Sequence, residues 1–536
     1  MRTKADFRAN TGISRALRPS DWLAGLSLAN LVFLRCWAEL LSPAKTRIYW
    51  LMAVPAPLHY VALMLDVLLL GTLFYALMCP IRRQSRAATR IMLVSGLAIL
   101  LSLMNSLRTL VGNPGGSLFL RFVEQRAPAI GVVAAILLVL ALVFGGIRAL
   151  RPVHKLLVLV SPFLLFTFGN SLYRIVSFDD RPARNGPLAS RLAPKTAGAP
   201  RVVWVIFDEW DQDLTFSERP SRIQLPEIDR LRADGFSATQ AIAPNMFTDW
   251  SMPALTTGIA LDDIHPDGPA ELMIRPRGSG TFLRWSQQDS VFREARKMGF
   301  NTAVVAWAIP YCRVLKNDLS GCWWWSGSNQ YNSVGITLPE MFVNQPRSLY
   351  ENTYRSPFGQ SLSTTRHIWV TENVVAKSLE VACDPGVGLA LLHMPVPHPP
   401  YFYDAATGKN GRASAPITGI FHQTQEGYVD ALALTDKIAG ELRHSMEQAG
   451  VWDSTTVIFS ADHPFRHRTT LDGHPVSRRV PYLVKMAGPR KQLSYGAPFS
   501  ALLTRKLIQA ILSGELSRPE EIPSWIDGRR ADYQLD

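Results

Sequence analysis

At 536 residues the chain is long enough for two or three domains. Its formal net charge is +13, but the excess sits in one third: up to residue 175 there are 19 Lys and Arg against 5 Asp and Glu, and beyond it 37 against 38. The basic third is also the apolar third, so the charge reads as membrane topology and excludes a nucleic-acid footprint.

Five segments reach the roughly 20 apolar residues that a bilayer span needs. They are Trp22–Leu41, His59–Met78, Ile91–Val111, Ala129–Ile147 and Leu156–Tyr173. The first is interrupted by Arg35 and Glu39, spaced i,i+4 on one helical face, and an interfacial helix is its alternative reading. No small-residue cleavage site follows an early apolar core, which argues against a removable signal peptide. The basic N-terminus and the loops "IRRQSRAATR" (Ile81–Arg90) and "RALRPVHK" (Arg148–Lys155) place the N-terminus in the cytoplasm. Five spans then put everything after Ile175 outside, which in a bacterium means a multi-pass inner-membrane protein with a periplasmic domain. The predicted organisation is a transmembrane helical domain over 1–175, a linker over 176–200 and an exported domain over 201–536.

Strand and helix patterns alternate along the exported part. "VVWVIF" (Val202–Phe207) reads as a fully buried strand ending at Asp208, and "NTAVVAWA", "GLALLHM" and "STTVIFSADH" are further apolar runs with polar ends. Helical patterns such as "EGYVDALALTDKIAGELRHSMEQAG" lie between them. This alternation predicts an α/β domain with a mainly parallel central sheet, whose ligands gather at the carboxyl ends of the strands. Those ends carry Asp208, His393 or His398, and the adjacent pair Asp462 and His463; His467 and His474 follow closely in "DHPFRHRTTLDGH". Carboxylates and imidazoles together suit zinc first and manganese second, as one or two ions.

Five cysteines are present, and no CxxC pair argues for a cysteine-built zinc site. Cys312 and Cys322 bracket "RVLKNDLSG", and an oxidising compartment favours closing that short loop as a disulfide. The neighbouring Trp323–Trp325 run reads as packing beside that bridge. One stretch stays ambiguous on its own residues: in "NMFTDWSMPALTTG" (Asn245–Gly258), Thr248 or Ser251 either caps a helix or presents a nucleophile.

Five ordered segments between Val202 and Gly488 resemble the alkaline phosphatase superfamily in its sulfatase-like branch, and within it the bacterial membrane phosphoethanolamine transferases. "VVWVIFDEW" is similar to the first metal-ligand strand, "TDWSMPALTTG" to the nucleophile segment and "LHMPVPHPPYFY" to "LHxxGSHxPxYY". "GVWDSTTVIFSADH" resembles the strand leading to an Asp-His ligand pair, and "HPVSRRVPYLVK" the later His followed by "VPLLVK". The resemblance implies an N-terminal transmembrane bundle followed by an α/β alkaline-phosphatase-like domain. It implies Thr248, in a Thr-x-x-Ser-x-Pro turn, as nucleophile, with Ser251 capping the helix that follows. Asp208, Thr248, Asp462, His463 and His474 are then the metal ligands, and His398 is the leaving-group acid or a contact to a second metal. Glu209, His393 and His467 stand behind these; His393 ranks below His398 because a histidine at a strand end is commonly a satisfied core residue.

The implied activity is metal-dependent transfer or hydrolysis of a phosphoryl-alcohol group on a lipid or envelope glycan. The alternatives are a sulfuric-ester hydrolase of the same superfamily and a membrane scaffold or sensor that keeps the fold without turnover. Arylsulfatases mature a Cys or Ser within "CxPSR", whereas this chain has Thr248 and no Arg after Ser251. It also departs from the transferases: their ligand Glu is Asp208, "DHGE" is "DHPF" and "GSH" is "VPH".

Overall fold

The computed structural model describes residues 18–41, 50–51, 55–82, 151–178, 185–188, 191–193, 195, 198–326, 337–349, 362–410, 425–467 and 476–533. The chain forms two compact units, and neither is a single stretch of sequence. One comprises Met1–Ser42, Pro55–Phe178 and Gln330–Glu351; the other comprises Pro43–Val54, Asp179–Asn329 and Asn352–Asp536.

In the first unit, Pro57–Leu77 and Pro152–Val176 are long and apolar enough to cross a membrane. The expected first span, Trp22–Leu41, is instead two helices, Pro19–Val32 and Leu34–Leu40, with a turn at Phe33. No Pro or Gly in the sequence marks that break. The expected spans Ile91–Val111 and Ala129–Ile147 lie outside the described residues. Small residues let the helices approach: a Cβ on Gly25 would fall 2.6 Å from the Gly71 carbonyl oxygen, and one on Gly71 would fall 2.8 Å from Leu26 Cα. Close backbone contact at small residues is how apolar helices associate without a hydrophobic driving force. Polar pairs join them too, with Thr167 Oγ1 donating to Asn30 Oδ1 at 3.0 Å and His154 Nε2 lying 3.0 Å from Asp21 Oδ1.

The second unit is built on a ten-stranded sheet. Its principal strands are β1 (Val202–Phe207), β2 (Phe236–Ile242), β3 (Thr302–Trp307), β4 (Gly321–Trp325), β5 (Leu389–Met394), β6 (Thr456–Ala461), β7 (Arg479–Lys485) and β8 (Leu493–Tyr495). Their spatial order is β4-β3-β5-β1-β6-β7-β2-β8. The sheet is mixed and mostly parallel: β7 runs antiparallel to both neighbours, while β4, β3, β5, β1 and β6 run parallel. Every residue of β1, β3, β5 and β6 is buried, as expected when helices cover both faces of a parallel sheet.

Register sets up the functional edge. Phe207 pairs with Ala461 across β1 and β6, so Asp208 and Asp462 are the next residues on neighbouring parallel strands. His393 of β5 pairs with Ile206 of β1. The two reversals through β7 make β2 parallel to β6, which brings the chain after Ile242 out at the same edge.

Two segments that precede Arg201 in sequence also belong to the second unit. Within the predicted linker, Gly186–Pro187 pairs antiparallel with Gly321 and Cys322, and Leu192 N donates to Asn301 Oδ1 at 2.8 Å. From far upstream, Trp50 is buried in the core and Leu51 offers its carbonyl to Ser326 Oγ. Cys312 and Cys322 are joined by a disulfide, and Trp324 is buried beside it. Cys383 is a free thiol.

Candidate active site

Beyond Ile242 the chain turns through Ala243–Phe247 and enters the helix Thr248–Thr257. Phe247 is extended and Thr248 is the first helical residue, so the helix begins three residues before the expected cap. Ser251 therefore lies inside the first turn. It is fully buried, and its Oγ donates to the Asn245 carbonyl at 3.2 Å. Ser251 fixes the loop that leads to Thr248; it does not cap the helix. Gly258 closes the helix at φ +67, the left-handed conformation that favours glycine.

Thr248 is half-buried, so its hydroxyl can meet a substrate. Its Oγ1 lies 3.5 and 3.4 Å from the two Asp208 oxygens and 3.2 Å from His463 Nε2. His463 Nε2 is in turn 3.6 Å from Asp208 Oδ1 and 3.4 Å from Asp462 Oδ2. On the β5 side, His393 Nε2 is 3.5 Å from Asp208 Oδ2. Asp208, His393 and Asp462 each present a ligand atom within 4.8 Å of the other two. His393, ranked low from sequence, is thus central. It is not a satisfied core histidine: its Nδ1 meets Tyr311 Oη at 3.1 Å, while Nε2 is buried without a hydrogen-bond partner.

The electrostatics of this cluster call for a cation. Asp208 is held well above the usual carboxylate range by burial first and then by the charges of Asp462 and Glu209. Burial raises Asp462 as well. Burial pushes His393 and His463 down to about 4, so both imidazoles are neutral and able to ligate. Asp462 Oδ2 and Glu209 Oε2, like His393 Nε2, are buried with no hydrogen-bond partner. Buried acids crowded against neutral histidines, with orphaned lone pairs, fit a divalent metal of the oxygen- and nitrogen-loving kind.

Glu209 is fully buried, and its Oε1 pairs with Arg466 Nε at 2.6 Å. Its backbone is left-handed (φ +68), which costs a non-glycine residue about 1 kcal/mol or more. In that conformation Glu209 N donates to Asp462 Oδ1, and the Glu209 carbonyl accepts from Tyr428 Oη at 2.8 Å. Arg466 also places Nη2 3.3 Å from His398 Nε2 and lies over the Phe247 ring. The other His398 nitrogen, Nδ1, is 2.6 Å from the Pro399 carbonyl. With Nδ1 donating there and Nε2 facing a guanidinium, His398 is the neutral, accepting form. Burial and then Arg466 hold it well below the usual histidine range, opposite to what a leaving-group acid needs. His467 borders the cluster, its ring edge-on to Phe465. His474 lies outside the described residues.

Arg466 and Tyr311 were not singled out from sequence. Arg466 had one signal, its place directly after the departure from "DHGE" in "DHPFR". Tyr311 had only its adjacency to Cys312.

The sulfatase family model matches residues 200–502, more than half of the chain. No curated protein matches the chain in sequence. Similar solved structures include the PsFucS1 sulfatase from Pseudoalteromonas sp. (17% identity, 59% of this chain and 69% of that one, TM-score 0.39). They also include a phosphonate monoester hydrolase of Agrobacterium radiobacter (14%, 59% and 74%, TM-score 0.39). A third is an alkaline phosphatase superfamily protein from Vibrio parahaemolyticus (13%, 63% and 71%, TM-score 0.37).

Proposed function

The chain belongs to the sulfatase family, and from that premise we propose a membrane-anchored, metal-dependent enzyme that transfers or hydrolyses a phosphoryl-alcohol group of a lipid or envelope glycan. The observation that carries the reading is the Thr248 hydroxyl, first residue of a helix and within 3.5 Å of both Asp208 and His463. The anchor rests on Pro57–Leu77 and Pro152–Val176, and the lipid or glycan substrate on the envelope location that such an anchor gives.

Asp208, Asp462, His463 and Thr248 Oγ1 would hold the metal, zinc or manganese, with His393 adjoining them. When bound, a divalent ion supplies positive charge that lowers the hydroxyl pKa and offsets charge developing on the phosphoryl oxygens. The chain's own residues do the rest. The helix at Thr248 directs first-turn amides without intrahelical acceptors toward the anionic group. Thr248 hands its proton toward the Asp208 carboxylate, to which it already donates. Attack forms the Oγ–phosphorus bond and breaks the bond to the leaving alcohol, which takes up a proton from water. Water or an acceptor hydroxyl then attacks phosphorus and frees Thr248. Arg466, anchored by Glu209, supplies the cation nearest His398 and Phe247 at the rim. Threonine does not follow the Cys or Ser maturation of arylsulfatases, which disfavours sulfate-ester chemistry by that route.

The test uses the full chain purified in detergent. Wild type should carry a divalent metal that Asp462→Asn loses. A phosphodiester donor with fast quenching should leave a phosphoryl adduct on the peptide containing Thr248. A metal-free wild type with full activity, or an adduct elsewhere, overturns the reading.

A further inference from the structure

One buried hydroxyl touches the acid–histidine cluster and takes no part in the chemistry above. Tyr311 is fully buried, and its Oη lies 3.1 Å from His393 Nδ1. A neutral imidazole carries one proton, and only its bare nitrogen can ligate. If the proton sits on Nδ1 and is accepted by the phenol oxygen, the lone pair is left on Nε2. That is the buried, unpartnered nitrogen 3.5 Å from Asp208 Oδ2.

Tyr311 is itself firmly held. Its ring packs edge-on against Trp285 at 6.0 Å and against His393 at 6.1 Å. Its amide donates to the Ile309 carbonyl at 2.8 Å. The next residue, Cys312, is bridged to Cys322 on β4. The residue after that, Arg313, donates to the Trp50 carbonyl and lies 4.7 Å over the Trp324 ring. Three successive side chains thus tie the short helix Tyr311–Val314 to the ring partners, the sheet and the upstream segment.

We propose that Tyr311 is a positioning residue for the metal: its phenol oxygen holds the Nδ1 proton of His393, so that Nε2 joins Asp208 and Asp462 as a ligand atom. This rests on the metal reading of the cluster. Loss of such an outer partner lowers metal affinity by about ten- to a hundredfold.

The experiment is zinc titration of the full chain against a competing chelator, with no activity readout. Tyr311→Phe keeps the ring and removes only the oxygen, and its zinc dissociation constant should rise at least tenfold. In a His393→Ala background the same substitution should add nothing, because the two act as one unit. A wild type that binds no zinc overturns the metal reading itself. A wild type that binds zinc, with Tyr311→Phe within fivefold of it, overturns the role of Tyr311 alone. A loss that persists undiminished in the His393→Ala background overturns it too.

Discussion

Arg466→Ala tests whether the rim arginine is the built-in counter-charge of the buried acids. Glu209 has no exposed side-chain surface, Arg466 is 24% exposed, and their atoms are 2.6 Å apart. At that separation and an effective dielectric of about 20, the attraction is about 6 kcal/mol. Desolvation of both groups cancels part of it. Removing one partner of such a pair costs about 3–5 kcal/mol, because the survivor stays buried and charged. Here the survivor also faces Asp208 and Asp462, which places the loss toward the upper end when no metal is bound. Glu209→Gln in the Arg466→Ala background deletes the stranded charge and should recover most of the loss. The assay is thermal unfolding of the full chain in detergent with chelator, followed by tryptophan fluorescence. About 2 °C per kcal/mol predicts a fall of roughly 6–10 °C for Arg466→Ala. A fall under 2 °C, or strictly additive single and double variants, would refute the pairing as an energetic unit.

Other outcomes follow from the same geometry. Thr248→Ala should lower turnover by several orders of magnitude, on the scale of other nucleophile deletions. Ser251→Ala, which loses one hydrogen bond to Asn245, should cost about 1 kcal/mol of stability and leave turnover nearly intact; steady-state rates on the two variants decide, and equal losses would break the assignment. Replacing Cys312 and Cys322 together by Ser opens a loop with a sequence separation of 10, a loss of about 3 kcal/mol by loop-closure entropy, read as a drop in melting temperature. Asp436 accepts from Ile228 N at 2.8 Å, and burial raises its carboxyl from 3.8 to about 6. The folded state therefore binds the proton more tightly, and the stability this group contributes is present below about pH 4 and lost as pH rises through about 6. Melting curves should show Asp436→Asn gaining on wild type across that window; a constant gap would contradict the shift. A reporter active only in the cytoplasm, fused after Asp536, should be silent if the second unit is exported.

The strand ends that carry the acid cluster were legible because a buried parallel strand must be a continuous apolar run, and the first charged residue after it marks its end. Asp208 and Asp462 satisfy that rule, and register then brings them side by side. The placement of Thr248 beside Asp208 and His463 was signalled only by resemblance, since its own residues allowed a cap as readily as a nucleophile. The helix start was misplaced because Ser251 looks like a cap, while its hydroxyl is in fact spent on the Asn245 carbonyl. The importance of His393 was hidden because a strand-end histidine is commonly satisfied, and only the placement of Tyr311 and of the acids shows which nitrogen is not. Nor did sequence reveal the left-handed backbone at Glu209 and Ala308, where no glycine flags the conformation. Trp50 could not be assigned to the second unit at all, because the hydrogen bond its carbonyl accepts comes from Arg313, 263 positions away.

The three residues after Asp462-His463 share a common physical sense at the rim. Where the resembled families write Gly-Glu after Asp-His, this chain writes Pro464-Phe465 and then Arg466. Pro464 gives its carbonyl to His463 Nδ1 at 2.9 Å, which leaves His463 Nε2 bare toward Thr248 and the two aspartates. Phe465 stacks on Tyr428 at 4.1 Å, and Tyr428 Oη donates to the Glu209 carbonyl. Arg466 neutralises the Glu209 side chain. Three consecutive residues thus fix the tautomer of one histidine, the strained backbone of Glu209 and its charge. A substitution at Phe465 or Arg466 acts on the acid cluster without altering a single proposed ligand, whereas Pro464 acts through a main-chain carbonyl that any residue would supply.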